Sequence, residues 1–168
     1  MSLSERLAPS EDLSEAEVET GLKWLLHNGI WAQGMETLAL GPILVAYALY
    51  FDASNLAIGL LVALPNLGQL ALLPAVQVVE KVRRRRLLAV VFGAASRPML
   101  LVMAAAVLVP SKEAGLALLL TGLTLRYSLG AFVGCSFNSW IRDLVPENRM
   151  GAVFANRLMW MTGIGMAV

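Results

Sequence analysis

The sequence has little of the chemistry on which most enzyme sites depend. It contains one cysteine, Cys135, and one histidine, His27. A single cysteine excludes a disulfide bond or a cysteine-rich metal site within these residues, and a single histidine argues against a histidine metal centre or a Ser–His–Asp triad. No paired carboxylates, nucleophile with a neighbouring base, or phosphate-binding glycine loop lies beside the apolar runs. We therefore expect no enzyme activity, no metal and no cofactor.

Charge is scarce as well. Charged residues make up 15% of the chain and hydrophobic residues 58%, with a mean hydropathy of +0.69. Soluble domains carry roughly 25% charged and 45–50% apolar residues, so this composition indicates a membrane protein. The main basic cluster, residues 80–86, is short, contains no aromatic residue and lies between apolar runs. Nothing in it indicates a nucleic-acid partner.

The same cluster, Glu80-Lys81-Val82-Arg83-Arg84-Arg85-Arg86, predicts the topology. We call it the basic turn. The apolar runs on either side, 56–79 and 87–109, are each long enough to cross a hydrocarbon layer roughly 30 Å thick as a helix. Cations in short loops stay in the cytoplasm. With the N-terminus inside, most cations are cytoplasmic and Lys112 lies outside, so we expect a multi-pass protein of the cell (inner) membrane.

In order along the chain, the pattern predicts an all-α bundle of transmembrane helices. Residues 1–10 should form a disordered cytoplasmic tail, 11–27 an amphipathic lead-in helix, and 28–168 the transmembrane bundle. Ser10 or Ser14 is placed to cap the lead-in helix, and Ser14-Glu15-Ala16-Glu17 has the form of a capping box. The predicted spans are about 30–50, 56–79, 87–109 and 116–140. A charged inside turn then begins at residue 141, and a partial fifth span, 154–168, is too short to cross the bilayer.

Three charged residues, Glu36, Arg97 and Arg126, fall within the predicted spans. By the helical rise per residue, Arg97 and Arg126 lie about 15 Å deep and Glu36 about 10 Å. A charge at the membrane centre costs about 2.5–3.5 kcal/mol, so each should face a partner or a wet cavity. Glu36 and Arg126 either line a pathway for an anionic group or a proton, or form a buried charge pair that fixes packing. Arg97 either joins that pathway or binds carbonyls freed by the adjacent Pro98.

Two glycines on the fourth predicted span indicate a helix contact. Gly130 and Gly134 are four residues apart, the spacing at which small residues allow two membrane helices to approach closely. We expect this face to pack against another helix, either as a fixed contact or as a sliding one.

The basic turn resembles the turn between spans two and three of major facilitator superfamily transporters, whose pattern is Gly-x-x-x-Asp-Arg-x-Gly-Arg-Arg/Lys. Here Glu80 takes the aspartate position, Lys81 the arginine, and Arg84 and Arg85 the basic pair, whereas Val76 and Arg83 replace the glycines. The resemblance implies that Glu80, Lys81, Arg84 and Arg85 form a gating turn, which stabilises one access state through a charge network with neighbouring helices. A plain topology signal is the alternative.

Two further segments resemble the same family. Arg126-Tyr127-Ser128-Leu129-Gly130 is similar to the Arg-x-x-x-Gly pattern in span four of its proton-linked exporters, with Leu129 in place of the usual glutamine. Residues 140–151 look like its Pro-Glu-x-x-Arg-Gly turn before span five. Together with the span spacing, these segments favour the N-terminal half of such a transporter.

The resemblance implies a secondary transporter that moves a small solute by alternating access and whose C-terminal half is missing from these residues. The fourth span favours protons as the coupling ion, and cations at the midplane favour an anionic or zwitterionic substrate. The expected partners are the lipid bilayer, the substrate, protons and the missing half. A non-transporting membrane scaffold, or the remnant of a transporter, is the alternative function.

Overall fold

The computed structural model describes residues 14–82, 84–145 and 147–167, which are almost entirely helical and contain no strand. The predicted disordered tail, residues 1–10, lies outside this part of the chain. The α-helices are α1 (Glu15–Leu40), α2 (Pro42–Tyr50), α3 (Asn55–Gly68), α4 (Leu72–Val82), α5 (Arg85–Ser96), α6 (Pro98–Ala105), α7 (Lys112–Leu144) and α8 (Glu147–Ala167). Short 3-10 segments, Gln69–Ala71 and Ala106–Leu108, follow α3 and α6.

These helices form four segments that are long and apolar enough to cross a membrane: Glu15–Tyr50, Asn55–Val82, Arg85–Leu108 and Lys112–Arg142. This confirms the prediction of an all-helical protein with four candidate spans. Their outward surfaces are rich in large apolar side chains; Leu56 is 84% exposed and Leu108 is 82% exposed. An apolar surface of this extent is suited to lipid and not to water.

Helix α1 begins with the predicted capping box. The backbone N–H of Glu17 donates to Ser14 Oγ at 3.4 Å, and the backbone N–H of Ser14 donates to Glu17 Oε2 at 3.0 Å. Ser14 is therefore the N-cap of α1; Ser10, the alternative, lies outside the described residues. From there α1 runs without a break to Leu40, so the lead-in helix and the start of the first predicted span form one helix. The polar residues His27 and Asn28 lie on exposed positions of that helix and do not end it.

Three of the four candidate spans are interrupted part-way along. In the first, Gly41 leaves the helical conformation with ψ −143°, and a β-carbon there would lie 2.7 Å from the carbonyl oxygen of Thr37. In the second, the 3-10 segment precedes Pro74, which has no N–H to donate to the carbonyl of Leu70. In the third, Pro98 follows Arg97 and leaves the carbonyl of Ala94 without its helical donor. Helix α7, with 33 residues, continues through the fourth span.

The chain divides into two compact units, which we describe separately. The described part of the larger unit is 45–82 and 84–140, and that of the smaller unit is 14–44, 141–145 and 147–167. In the larger unit, α7 supplies the fully buried side chains Leu119, Leu123 and Ser136. Glycines bring other helices close to it. A β-carbon on Gly68 would lie 2.6 Å from Tyr127 Cβ, and one on Gly122 would lie 2.9 Å from Met103 Cγ.

At one end of the larger unit, the turn after α2 is held by polar and aromatic contacts. Asp52 adopts a left-handed backbone with φ 56°, and its carboxylate lies 2.6 Å from Lys112 Nζ. The Tyr47 hydroxyl donates to the carbonyl of Met103 at 3.0 Å. Phe51 is buried, and a β-carbon on Gly115 would lie 2.5 Å from its ring. Both partners of the ion pair are exposed, so it contributes little to stability. The packing of Phe51 is therefore the main stabilising contact at this end of the larger unit.

In the smaller unit, α1 packs along α8 through small residues. Gly29 faces the Arg157 and Met161 side chains, Gly34 faces Ile164, and Gly165 faces Gln33. Helix α8 begins at Glu147, whereas the sequence predicts a charged inside turn from residue 141 and a fifth apolar segment only from 154. Asn148 and Arg149 are exposed on the first turns of α8, so their polarity belongs to a helix surface and not to a loop.

The contact of Gly68 with Tyr127 gives a first prediction. Gly68→Ala should lower the free energy of unfolding by about 1–3 kcal/mol, since a methyl group has no space there and overpacking costs about that much. The matched control is Gly59→Ala in the same helix, where a β-carbon meets no described atom within 4 Å. Alanine there should raise stability by about 0.5–1 kcal/mol through helix propensity. Unfolding in mixed micelles with increasing dodecyl sulfate measures both; equal effects of the two substitutions would contradict the packing described.

Candidate functional site

Arg126 occupies the middle of the fourth candidate span. It lies 14 residues after Lys112 and 16 before Arg142, which places it roughly 20 Å from either end of that span by the helical rise. Its side chain is only 8% exposed. The guanidinium therefore faces the protein interior, as the cost of a cation in hydrocarbon requires.

Two of the span interruptions lie against α7 within about one turn of Arg126. Gly68, which touches Tyr127, immediately precedes the 3-10 segment of the second span. Met99, which immediately follows Pro98, presents its carbonyl oxygen 3.5 Å from a β-carbon placed on Gly122. The buried arginine and two irregular stretches of backbone thus lie at about the same height along α7 in the larger unit. Irregular backbone at membrane depth is tolerated where it is buried in protein or lines a cavity.

Arg97 lies at the interruption of the third span, but its environment differs from that of Arg126. Its backbone forms the junction: the N–H of Arg97 donates to the Gly93 carbonyl at 3.4 Å, and its carbonyl accepts from the N–H of Leu100 at 3.1 Å. The Arg97 side chain is exposed. A role in the same pathway as Arg126 stays a prediction.

Glu36 belongs to the smaller unit, where α1 and α8 enclose a groove of about 330 Å³. Gln33 and Thr37 line it from α1. Helix α8 contributes a mostly apolar wall: Leu158, Met161, Thr162, Gly165 and Met166. The Gln33 side-chain amide donates to Thr37 Oγ1 at 3.4 Å, and that hydroxyl donates to the Gln33 carbonyl at 3.0 Å. Glu36 is half-buried and lies three residues after Gln33, on a neighbouring part of the helix surface.

The sequence reasoning did not identify this groove, because amides and hydroxyls on two separate helices give no spacing signal. Since Glu36 and Arg126 belong to different units, their joint pathway remains a prediction.

The basic turn contacts the end of α7. Arg85 Nη1 donates to the Ser139 carbonyl at 3.5 Å, and the Arg86 guanidinium lies over the Trp140 ring at 6.0 Å. Among the predicted gating residues, Arg85 makes this contact, whereas the side chains of Glu80, Lys81 and Arg84 are exposed. Arg86 was not among them. The signal in the sequence that could have identified Arg86 was Trp140, an aromatic residue at the end of a span, because arginine stacks on aromatic faces.

Gly130 and Gly134, the predicted helix-contact face, meet no described atom within 4 Å of an added β-carbon. Their contact with another helix therefore stays a prediction. The close approaches that are present on α7 involve Gly115 and Gly122, and the second of these reaches the backbone of α6. The four-residue spacing of Gly130 and Gly134 predicted a surface of small residues on α7. It did not predict which glycines of α7 lie close to another helix.

Within the described residues, no group of three histidine, cysteine or acidic side chains is placed to hold a metal ion. Comparison with protein-family profiles, with curated proteins and with solved structures gives no match. The arrangement around Arg126 must therefore be interpreted from its own chemistry: a fixed cation, shielded from lipid, beside backbone that has lost regular helical bonding.

Arg126 gives the second prediction. Arg126→Gln should lower the free energy of unfolding by about 1–3 kcal/mol, because it removes a buried guanidinium together with the interaction that this group makes within the protein. Arg142→Gln is the matched control, an exposed arginine near the end of the same helix, and should change stability by less than about 0.5 kcal/mol. Dodecyl sulfate titration of both variants measures the difference. An equal response would contradict the interior position of Arg126.

Proposed function

We propose that the chain is part of a secondary active transporter for a small solute, built like the N-terminal half of a major facilitator superfamily protein. One observation carries the proposal: a buried arginine at mid-span shares its level with two interrupted helices. Secondary transporters place substrate and ion sites near the bilayer midplane, beside discontinuous helices. A protein that only anchors or connects other proteins needs neither a buried mid-span charge nor an interrupted helix. Both features cost free energy in the membrane.

In this proposal Arg126 faces the transport pathway. A guanidinium is permanently charged and presents a planar fork of donors that matches carboxylate or phosphate oxygens. Away from bulk water such an interaction is strong. These properties support an anionic or zwitterionic substrate. Proton coupling is the ion assignment that the resemblance of Arg126–Gly130 favours, with Glu36 as the side chain that would exchange the proton.

The basic turn supports the same proposal. Arg85 and Arg86 connect the turn between the second and third spans to the end of the fourth. A contact of this kind can form in one access state and break in the other, which is what a gating turn requires. The orientation proposed is an N-terminus and a basic turn in the cytoplasm of a multi-pass cell-membrane protein.

The test is solute-dependent flux with the whole natural protein in lipid vesicles loaded with a pH-sensitive dye. A panel of small carboxylates, phosphates and amino acids is presented outside, and proton movement is recorded. Wild-type protein should respond to at least one solute, and Arg126→Ala should abolish that response because the pathway loses its cation. Arg142→Ala, at an exposed arginine near the end of the same helix, should retain it.

Arg126→Lys is the variant that separates an effect on transport from an effect on folding, because it keeps a cation at the site. A protein that folds and inserts with Arg126→Ala but transports as the wild type does would remove Arg126 from the pathway. Absence of flux for the whole panel with correctly inserted protein would favour the scaffold alternative.

A further inference from the structure

Helix α6 is a short piece of regular helix between two interruptions of the third candidate span. It has eight residues, Pro98–Ala105, and is therefore about 12 Å long. The Arg97-Pro98 junction precedes it, and the 3-10 segment Ala106–Leu108 follows it. Pro98 has no N–H to donate across the first junction, and at the second the N–H of Val109 bonds to the carbonyl of Ala106, three residues back. Regular α-helical bonding is thus broken on both sides of α6.

Helix α6 lies against α7 through a glycine that is close to Arg126. A β-carbon on Gly122 would lie 2.9 Å from Met103 Cγ and 3.5 Å from the carbonyl oxygen of Met99. Gly122 precedes Arg126 by four residues on α7, so this contact and the arginine lie on neighbouring turns. Glycine has no side chain to interlock with its neighbour, and methionine is flexible. The contact therefore allows α6 to move relative to α7.

The side chain of Tyr47, on α2, bonds to the C-terminal end of α6. Its hydroxyl donates to the carbonyl of Met103 at 3.0 Å and lies 3.2 Å from the carbonyl of Ala104. The ring of Tyr47 is in edge-to-face contact with Phe51, with 5.2 Å between the ring centroids, and Phe51 is buried. Tyr47 thus has a fixed position, from which its hydroxyl connects the first span to α6.

We propose that α6 is an outer gate, which controls access from the cell exterior to the Arg126 site, and that the Tyr47 hydroxyl holds this gate closed. Because the third span begins at the basic turn, the half of it that contains α6 lies toward the outside in the proposed topology. The two interruptions act as hinges, at which a short element changes direction while the rest of the span stays in place. When the Tyr47 hydrogen bond breaks, α6 moves away from Gly122 and opens a path to Arg126. The gate rests on the proposed function, since it regulates that same site.

Hydrogen-exchange mass spectrometry of the full chain in lipid nanodiscs tests the movement. Tyr47→Phe removes the hydroxyl and keeps the ring. The amides of residues 99–108 should then exchange about fivefold faster, since a hydrogen bond contributes about 1 kcal/mol and about 1.4 kcal/mol is tenfold. The amides of residues 119–126 on α7 should keep their wild-type rate, because local opening leaves the rest of the bundle protected. Unchanged exchange in 99–108, or an equal increase in both segments, would overturn the proposal.

The matched control is Tyr50→Phe in the same helix. Tyr50 is exposed and contacts Phe51 edge-to-face as Tyr47 does, but among the described residues its hydroxyl does not bond to α6. This variant should exchange as the wild type does, and a fivefold increase in 99–108 would contradict the role of the Tyr47 hydroxyl. Should Tyr47→Phe fail to fold, Gly122→Ala replaces it. Its methyl group displaces Met103 and should also raise exchange in 99–108; wild-type exchange there would overturn the proposal.

Thiol labelling tests whether the movement opens toward the outside. Cys135→Ser removes the native thiol, and Met103→Cys places one at the contact with Gly122, where the native side chain is buried. A membrane-impermeant methanethiosulfonate added to intact cells should react about fivefold faster when Tyr47→Phe is also present, and at an unchanged rate with Tyr50→Phe. Reaction from the cytoplasmic side alone, in inside-out vesicles, would contradict an outer gate.

Both measurements work without a transported solute, so the gate and the proposed function can fail separately. A protein in which α6 opens as described, but which moves no solute, would contradict transport and not the movement of α6. A protein that transports, while exchange and labelling at α6 do not respond to Tyr47→Phe, would contradict the gate alone.

Discussion

Hydrocarbon offers no hydrogen bonds to a backbone, and this constraint accounts for the long apolar helices that form the four candidate spans. Nearly all described residues are helical because a helix satisfies its own N–H and C=O groups. Departures from helical bonding are therefore costly and few. Part-way along the described candidate spans they occur at Gly41, at Gln69–Ala71 and at the Arg97-Pro98 junction; a further 3-10 segment, Ala106–Leu108, ends the third span. In the larger unit the second and third lie against the turn of α7 that carries Arg126.

The same constraint determines how the helices hold together. Lipid tails are as apolar as leucine side chains, so burial of oily surface gives little drive for two membrane helices to associate. Close packing between the helices must therefore supply the free energy of association. Gly68 against Tyr127 and Gly122 against Met103 allow such contact in the larger unit, and Gly29, Gly34 and Gly165 do so in the smaller. Large apolar residues such as Leu56 and Leu108 are left for the outer surface.

Local and compositional features could be predicted from the sequence. The capping box at Ser14 depends on two residues three apart, and the four candidate spans depend on long runs without charge. The burial of Arg126 followed from the cost of exposing a cation to lipid. The same argument predicted that Arg97 would face a partner or a cavity, whereas its side chain is exposed. The direction that a side chain faces depends on the neighbouring helices, which residue counting does not give.

Contacts between distant segments could not be predicted in this way. Gly68 packs against Tyr127, which is far away in sequence, and no local pattern links the two residues. Gly130 and Gly134 share the spacing of a contact without a described neighbour. The lead-in helix (11–27) and the first span (about 30–50) were predicted as separate elements, whereas one helix continues from Glu15 to Leu40. Polar residues such as His27 and Asn28 can equally lie in a loop or on an exposed helical face. Hydropathy does not distinguish these two cases.

We propose that the four candidate spans cross a membrane with the basic turn in the cytoplasm. Cysteine labelling on intact cells tests it directly, after Cys135→Ser removes the native thiol. A membrane-impermeant maleimide should label Glu113→Cys from outside and should label Asn148→Cys only after the cells are permeabilised. Labelling of both positions in intact cells, or of Asn148→Cys alone, would contradict the account.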